Sequence, residues 1–320
     1  MTLKIAILGT GRIAENSLAP ALVEAADGEF WSVLSRNLKR AERFSKQFNA
    51  QSPTPAYDTL SDLMADPSLD AVIIATPDGV HTEQTLAAAI AGKHVFCEKP
   101  LATNREDAQS MVDACKTAKV QLGLAYHMRW HTGHRRLFGA CQAGDFGDLR
   151  HMRLQWSSYA RDNSNWRAHD EVGRWWSLGG VGTHLIDQMR WFLCPVAGEV
   201  VDMSSTISRS HFGGPHDETA ILGFRFESGA TAEICSSVMF EGPRRMEVYG
   251  TRNYAICENT LGLSGTGSIW TKNGRFNFEP KNPYVGEIED FIKAIIDQRL
   301  PEVNGEEGQR NVELLLQAIE

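Results

Sequence analysis

Two stretches of the chain concentrate residue types able to move a proton. In the first, an apolar run over 94–97 ends in Glu98-Lys99-Pro100. A lysine at the end of a buried strand loses part of its hydration, which favours the neutral amine that proton exchange requires. A strand-end lysine held in a salt bridge fits the same pattern, so both roles stay open for Lys99. The second stretch, SLGGVGTHLID (177–187), runs through Gly179, Gly180 and Gly182 to His184 and Asp187. Histidine titrates nearest neutrality. Asp187, three positions on, can orient the His184 ring if a helix starts there. Taken alone, the stretch is also a plain glycine-rich helix entry.

A third stretch is built for an anion. Gly9-Thr10-Gly11-Arg12-Ile13-Ala14 follows the apolar run 4–9 and opens a helical pattern. In such a G-x-G-x-x-A turn the first glycine makes the bend and the second admits a pyrophosphate to the backbone. The small third residue lets helix and strand pack closely, and the helix N-terminus favours the negative charge. The end of the second strand reads Leu34-Ser35-Arg36-Asn37, with Arg40 one turn beyond. It lacks the acid that bonds the ribose of NAD, whereas Ser35, Arg36 and Arg40 suit a 2′-phosphate, so NADP is favoured over NAD. The segment 75–81 leaves the fourth strand near the expected switch point of the sheet. It offers Thr76, Pro77 and His81 as neighbours of the nicotinamide riboside.

The elements that must position these residues fall into two halves. Up to residue 125, continuous apolar runs at 4–9, 30–35, 70–76, 93–98 and 120–126 alternate with helical patterns at 12–26, 37–48, 59–65, 79–91 and 103–118. That is the signature of a doubly wound parallel sheet, a Rossmann domain over 1–125. From 126 to 320 the period changes. The runs 151–156 and 220–226 alternate apolar and polar residues, and Asn273-Gly274 signals a two-residue hairpin. The expected second domain is α/β, with an open, mainly antiparallel sheet and helices on one face. One helix is expected from His184 to Leu193, stopped by Cys194-Pro195, and another over 285–298. The second carries the apolar stripe Ile288, Phe291, Ile292, Ile295 and Ile296.

Composition narrows the function. A formal charge of −8 argues against a nucleic-acid partner, which needs a basic footprint. The six cysteines lie far apart with no C-x-x-C pair, as reduced thiols of a cytoplasmic protein would. No apolar stretch reaches the ~18–20 residues of a membrane span, and no signal segment opens the chain. His127, His131 and His134 are spaced i, i+4, i+7, but Gly133 weakens that helix and no acid or cysteine joins them, so no metal is expected. The tryptophans at 156, 166, 175, 176 and 191 read mainly as core, although sugar rings also stack on exposed aromatics. An open sheet needs a cover, which predicts a homodimer or homotetramer.

Taken together, GTGRIA, DAVIIATPDGVH, CEKPLA, AYHMRW, NWR and GTHLID resemble the Gfo/Idh/MocA oxidoreductases along nearly the whole chain, with the EKP segment the most specific. The resemblance implies NAD(P)-dependent hydride transfer at a hydroxyl or carbonyl carbon of a sugar, polyol or related small molecule. It assigns the proton to Lys99 and His184. Glu98 and Pro100, the latter after a cis bond, would shape the cofactor side, and Trp166-Arg167 would reach back to the cofactor. Tyr126 and Arg129 would border the substrate.

The chain departs from the family at one place. Many members carry D-x-G-x-H, and the aspartate's position is Gly180 here. Three accounts follow. In the first, Asp187, Asp170 or Glu171 assists Lys99 and His184; in the second, the protein senses cofactor and sugar with little turnover; in the third, it cleaves glycosides by transient NAD redox chemistry.

Overall fold

The computed structural model describes residues 2–169 and 172–320. Asp170 and Glu171, named above as acids that reach toward the substrate, lie outside the described residues. The chain divides into two units, 1–126 with 284–312, and 127–283 with 313–320. The boundary expected at 125 is therefore crossed a second time: the segment 284–312 returns to the first unit rather than extending the second.

In the first unit, six strands form one parallel sheet: β1 (Leu3–Leu8), β2 (Gly28–Leu34), β3 (Ala56–Tyr57), β4 (Ala71–Ile74), β5 (His94–Cys97) and β6 (Leu122–Leu124). Their order is β3-β2-β1-β4-β5-β6. The strands are short and almost wholly buried, as sheets covered on both faces must be. The order reverses between β1 and β4, which fixes the switch point at Gly9 and Ala75. The connecting helices are α1 (Ala19–Glu24), α2 (Leu38–Gln47), α3 (Leu60–Met64), α4 (His81–Ile90) and α5 (Arg105–Ala118). The helix begins at residue 12 as expected and then widens into a π-turn, Ala14–Leu18, in which the Ala19 N–H reaches back five residues to the Ala14 carbonyl.

The returning segment carries α8 (Pro283–Ile296). Its Tyr284, Ile288, Phe291 and Ile292 join the core of the first unit beside Leu22, Phe30 and Phe96. Phe291 lies 5.2 Å from Phe96, ring to ring, and a Cβ on Gly123 would strike the Phe291 ring. The expected stripe is core at these positions, but Ile296 is exposed because the helix ends there. The same helix buries Glu287, and neither carboxyl oxygen has a hydrogen-bond partner. Burial first, and the nearby Glu98 second, push its pKa well above the ordinary carboxyl value.

The second unit is built on an eight-stranded sheet. Its strands are β7 (Leu149–Ser157), β8 (Val200–Ser208), β9 (Thr219–Phe226), β10 (Thr231–Ser237), β11 (Arg245–Gly250), β12 (Tyr254–Glu258), β13 (Ser268–Thr271) and β14 (Gly274–Arg275). The order is β14-β13-β12-β11-β7-β10-β9-β8, antiparallel except for the β7–β10 pair. One face supplies Met152, Leu154, Leu222, Phe224, Ile234, Met246 and Val248 to the core. Against it lies α7 (Thr183–Ala197), buried at every position from Thr183 to Leu193, preceded in the chain by α6 (Thr132–Gln142). The opposite face carries half-exposed cross-strand ion pairs, Arg153–Glu233 at 2.7 Å and Arg225–Asp202 at 3.4 Å. Such pairs contribute little stability.

Two local expectations shift. Pro195 does not stop α7 but sits in its last turn, where only one intrahelical bond is lost; the chain leaves at Gly198 with φ +78°. The hairpin loop is Lys272-Asn273 rather than Asn273-Gly274. Gly274, at φ +103°, is already paired with Thr271, whose hydroxyl donates to the Gly274 carbonyl.

Glu287 gives a signed pH prediction. Its folded pKa is raised, so its contribution is intact below the unfolded carboxyl value of about 4.3 and is lost as pH rises toward the folded value. Glu287→Gln keeps the neutral shape, so its stability relative to wild type increases between pH 5 and pH 8, by up to about 1.4 kcal/mol per unit. Thermal unfolding of both proteins across that range checks this; a Tm difference independent of pH contradicts it.

Candidate active site

In the first unit the glycine turn sits at the switch point. Gly9 adopts φ +104°, and a Cβ there would lie 2.6 Å from the Ala75 carbonyl oxygen, so both the bend and the approach to β4 exclude a side chain. At Gly11 the reverse holds. An added Cβ meets no atom within 4 Å, so the missing side chain leaves the helix start open on its outer side. Arg12 is exposed and Ile13 half-buried beside it. The Thr10 hydroxyl donates to Ser35 Oγ at 3.3 Å, linking the glycine turn to the end of β2, where Arg36 and Arg40 are exposed. Asn37 caps α2 by accepting the Arg40 N–H.

Around β4 and β5 the loops are pinned by one histidine. His81 is fully buried; Nε2 faces the Thr76 carbonyl at 3.0 Å, and Nδ1 faces Pro100 O at 3.0 Å and Leu101 O at 3.3 Å. It was expected to border the riboside. With its ring engaged by three carbonyls and no exposed surface, it instead ties the Thr76 loop to the Pro100 loop. Thr76 donates to Gln84 at 2.8 Å, and Pro77 is half-buried. The Lys99–Pro100 bond is cis, as the resemblance implies. Glu98 is buried and accepts the Lys99 N–H, while the Lys99 side chain is half-buried. Tyr126 has no exposed surface.

In the second unit His184 stands in the first turn of α7. The chain reaches it through a second π-turn, Leu178–Gly182, closed by the Thr183 N–H on the Leu178 carbonyl. Gly182 must be small, since a Cβ there would lie 3.0 Å from both Leu178 and Ser236 Oγ. At Gly180 an added Cβ meets nothing within 4 Å. The His184 ring stacks near Trp156 at 5.8 Å and takes the edge of His127 at 4.8 Å. His127 Nε2 faces the Gly262 carbonyl at 3.1 Å. Arg129 and Asp187, expected to touch substrate, meet each other: Nη2 donates to Oδ1 at 2.6 Å and Nε to Oδ2 at 2.9 Å, with both side chains buried. Trp166 carries the Arg167 guanidinium 4.0 Å above its ring, in a turn capped by Asn165.

The three spaced histidines do not share a helix. His127 lies in a 3-10 turn, His131 caps α6 and His134 lies within it. Burial pushes the pKa of His131 down and that of His134 well below the ordinary value. No group of three or more His, Cys, Asp or Glu among the described residues is arranged to hold a metal ion. The tryptophans act as core: Trp175 donates to Leu315 O, Trp176 packs with Ala168 and Val238, and Trp191 stacks on Phe138.

One residue of the site gave no sequence signal. Asp217, buried at the start of the β9 region, accepts the Trp176 N–H at 2.9 Å, the Leu178 N–H at 2.7 Å and the Ser177 hydroxyl at 2.5 Å. Burial raises its pKa, and these three bonds oppose the rise. It caps the glycine turn from 40 residues away.

Residues 3–126 match the family model described as an oxidoreductase family with an NAD-binding Rossmann fold, and residues 134–256 match the GFO/IDH/MocA C-terminal domain. The chain belongs to the Gfo/Idh/MocA family. Among its relatives, the 1,5-anhydro-D-fructose reductase of Ensifer adhaerens is 29% identical over 94% of this chain and 91% of its own. The D-xylose 1-dehydrogenase (NADP(+)) 2 of Haloferax volcanii is 29% identical over 94% and 92%. The myo-inositol 2-dehydrogenase of Thermotoga maritima is 26% identical over 96% and 92%. The aldose-aldose oxidoreductase of Caulobacter crescentus, complexed with glycerol, superposes with a TM-score of 0.92 at 23% identity, covering 100% of this chain and 97% of that one. The Rossmann domain and the mixed, mostly antiparallel second sheet are thus those of the family. Among the described residues no helix is long and apolar enough to cross a membrane.

Asp217 holds the entry to the His184 helix, and removing it leaves the buried N–H groups of Trp176 and Leu178 unmatched, while the Ser177 hydroxyl still has Ser236 within reach. Asp217→Ala should lower stability by about 3 kcal/mol, with Asp217→Asn intermediate because its amide accepts fewer of the three. Urea unfolding measures both; a loss below about 1 kcal/mol for the alanine variant refutes the capping role.

Proposed function

We propose that the protein is an NAD(P)-dependent dehydrogenase or reductase acting on a CH–OH or carbonyl carbon of a sugar, polyol or related small molecule, with NADP preferred. The observation that carries the reading is the glycine turn at the switch point of the parallel sheet, closed on Ala75 at Gly9 and open on its outer side at Gly11. That cradle fits a pyrophosphate at a helix start. Gly9, Thr10, Gly11, Arg12 and Ile13 would hold it, with Thr76 and Pro77 beside the nicotinamide riboside. Glu98 and Lys99 would lie on the same side, and Trp166 and Arg167 would come from the second unit. When bound, the nicotinamide supplies the hydride acceptor or donor.

The chain's own residues supply the proton chemistry. Lys99 takes the proton from the reacting hydroxyl, or returns it to the carbonyl oxygen, and His184 is the second proton carrier. Asp187 acts on this chemistry through Arg129 and the placement of α7 rather than by contact with substrate. Gly180 adds no carboxylate, so the system has two members. The cofactor preference is supported by Ser35, already oriented by Thr10, together with exposed Arg36 and Arg40 and the lack of an acid at the end of β2. A homodimer or homotetramer belongs to the same reading, supported by exposed Ile221, Tyr254 and Trp270 on the open sheet face; light scattering after gel filtration reports it.

Two measurements test the reading. Turnover of NADPH or NADP⁺ with a panel of sugars, polyols and their keto forms is expected, and Lys99→Met should lower kcat/KM by roughly a thousandfold with cofactor Kd unchanged. Tight cofactor binding without turnover across the panel would contradict it. In fluorescence titration NADPH should bind at least tenfold more tightly than NADH, and Arg36→Leu with Arg40→Leu should erase that difference. Tighter binding of NADH overturns the NADP assignment.

A further inference from the structure

Near His184 lies a cation, Arg244, that forms no ion pair among the described residues. Arg245, Glu247 and Tyr249 alternate along β11 onto the open sheet face, where Arg245 contacts Glu247 and Glu258. Met246 and Val248 point the other way, into the core. Arg244 shares their side but lies just beyond the strand, where the core ends and the side chain is exposed. The register Arg245↔Gln155 sets Arg244 beside Trp156, and Trp156 pairs onward with Ser236. The Arg244 guanidinium lies 5.6 Å from the Trp156 ring, the same ring that stacks near His184.

A second chain of contacts closes the circuit. A Cβ on Gly262 would come within 2.9 Å of Arg244 Nη1, and the Gly262 carbonyl meets His127, whose ring edge lies on His184. Arg244 is thus tied to the reacting histidine from two directions, through Trp156 and through Gly262 with His127.

The acids of this part of the second unit are engaged elsewhere. Asp187 is bound by Arg129, and Asp217 by the backbone at 176–178 and Ser177. Glu218 accepts the N–H groups of His211 and Phe212, and Glu258 contacts Arg245. Among the described residues none forms an ion pair with Arg244; Glu241, three positions before it, is exposed. Residues 172–186, which lead to His184, contain no acid. A guanidinium lying by an aromatic ring, near the candidate histidine and paired with no carboxylate among the described residues, is suited to a ligand's negative charge.

We propose that Arg244 is a specificity residue and that the substrate of the His184 site is an anionic sugar, bearing a carboxylate or a phosphate, whose charge Arg244 binds. The proposal rests on the sugar or polyol reading above and narrows it.

Calorimetric titration of the NADPH-loaded protein with matched sets tests it: D-glucose, D-glucuronate and D-glucose 6-phosphate, then D-galactose, D-galacturonate and D-galactose 6-phosphate. At least one acidic sugar should bind tenfold or more tighter than its neutral partner. Preference for the uronates identifies a carboxylate, and preference for the phosphates a phosphoryl group. Arg244→Gln should bring the ratio to within twofold, Arg244→Lys should retain part of it, and 0.5 M NaCl should diminish it. Because Arg244 is exposed, circular dichroism of the variants should match wild type. Neutral sugars bound as well as every acidic partner, or a preference that survives Arg244→Gln, overturn the proposal. Binding is read without turnover, so an anion preference in a protein that turns over nothing sinks the dehydrogenase reading and leaves this one standing, while turnover of neutral and acidic sugars alike does the reverse.

Discussion

The Arg129–Asp187 ion pair is the constraint on which the second unit's site depends. Removing both charges from water is costly, and only close, two-pronged geometry offsets the loss. The pair therefore fixes the turn 127–130 against α7 at one distance and one orientation. His127, two residues before Arg129, is carried with it onto the edge of His184. His184, one turn before Asp187, is held in the same frame. Removing one partner takes this two-pronged pairing from a buried charge, so these positions cannot drift independently. Asp217 does comparable work at the other end, where three donors converge on its carboxylate and set where the glycine turn begins.

Both helices that carry the candidate chemistry contain a π-turn near their start, Ala14–Leu18 and Leu178–Gly182. The wider turn adds one residue before the regular spiral resumes, displacing the groups at the helix mouth relative to its axis. Such turns give up favourable packing and persist where neighbouring contacts enforce them. At Gly182 the enforcing neighbours are Leu178 and Ser236. The glycines of SLGGVGTHLID thus have separate tasks: Gly182 admits the sheet, whereas Gly180 keeps the space before His184 clear.

Much of this was legible in the sequence where a residue type answers a local demand. Parallel strands covered on both faces must be continuous apolar runs, and β1, β4 and β5 are. Gly9 stands where backbone geometry and a close approach to Ala75 require a glycine. The alternation over 151–156 correctly divided Met152 and Leu154 from Arg153. What escaped is non-local. Asp217 caps a turn 40 residues earlier in the chain, and no short pattern announces that. His81 begins a helix, and nothing in its neighbours reveals three carbonyls converging on it from other loops. Arg129 and Asp187 each looked like ligands because a lone charge does not display its partner. The stripe on α8 was read as core, but amphipathic spacing does not say which sheet it covers.

That last point bears on how the protein is made. The core around Leu22, Phe30 and Phe96 is completed by Tyr284, Ile288, Phe291 and Ile292. During synthesis, the parallel sheet emerges before the second unit yet lacks that layer until more than 150 further residues have been translated. Until then the face later covered by Phe291 and Ile292 lacks its native apolar cover. The whole of the intervening unit is a loop that must close before the first domain reaches its native core, so a sheet made before that unit is completed only after it.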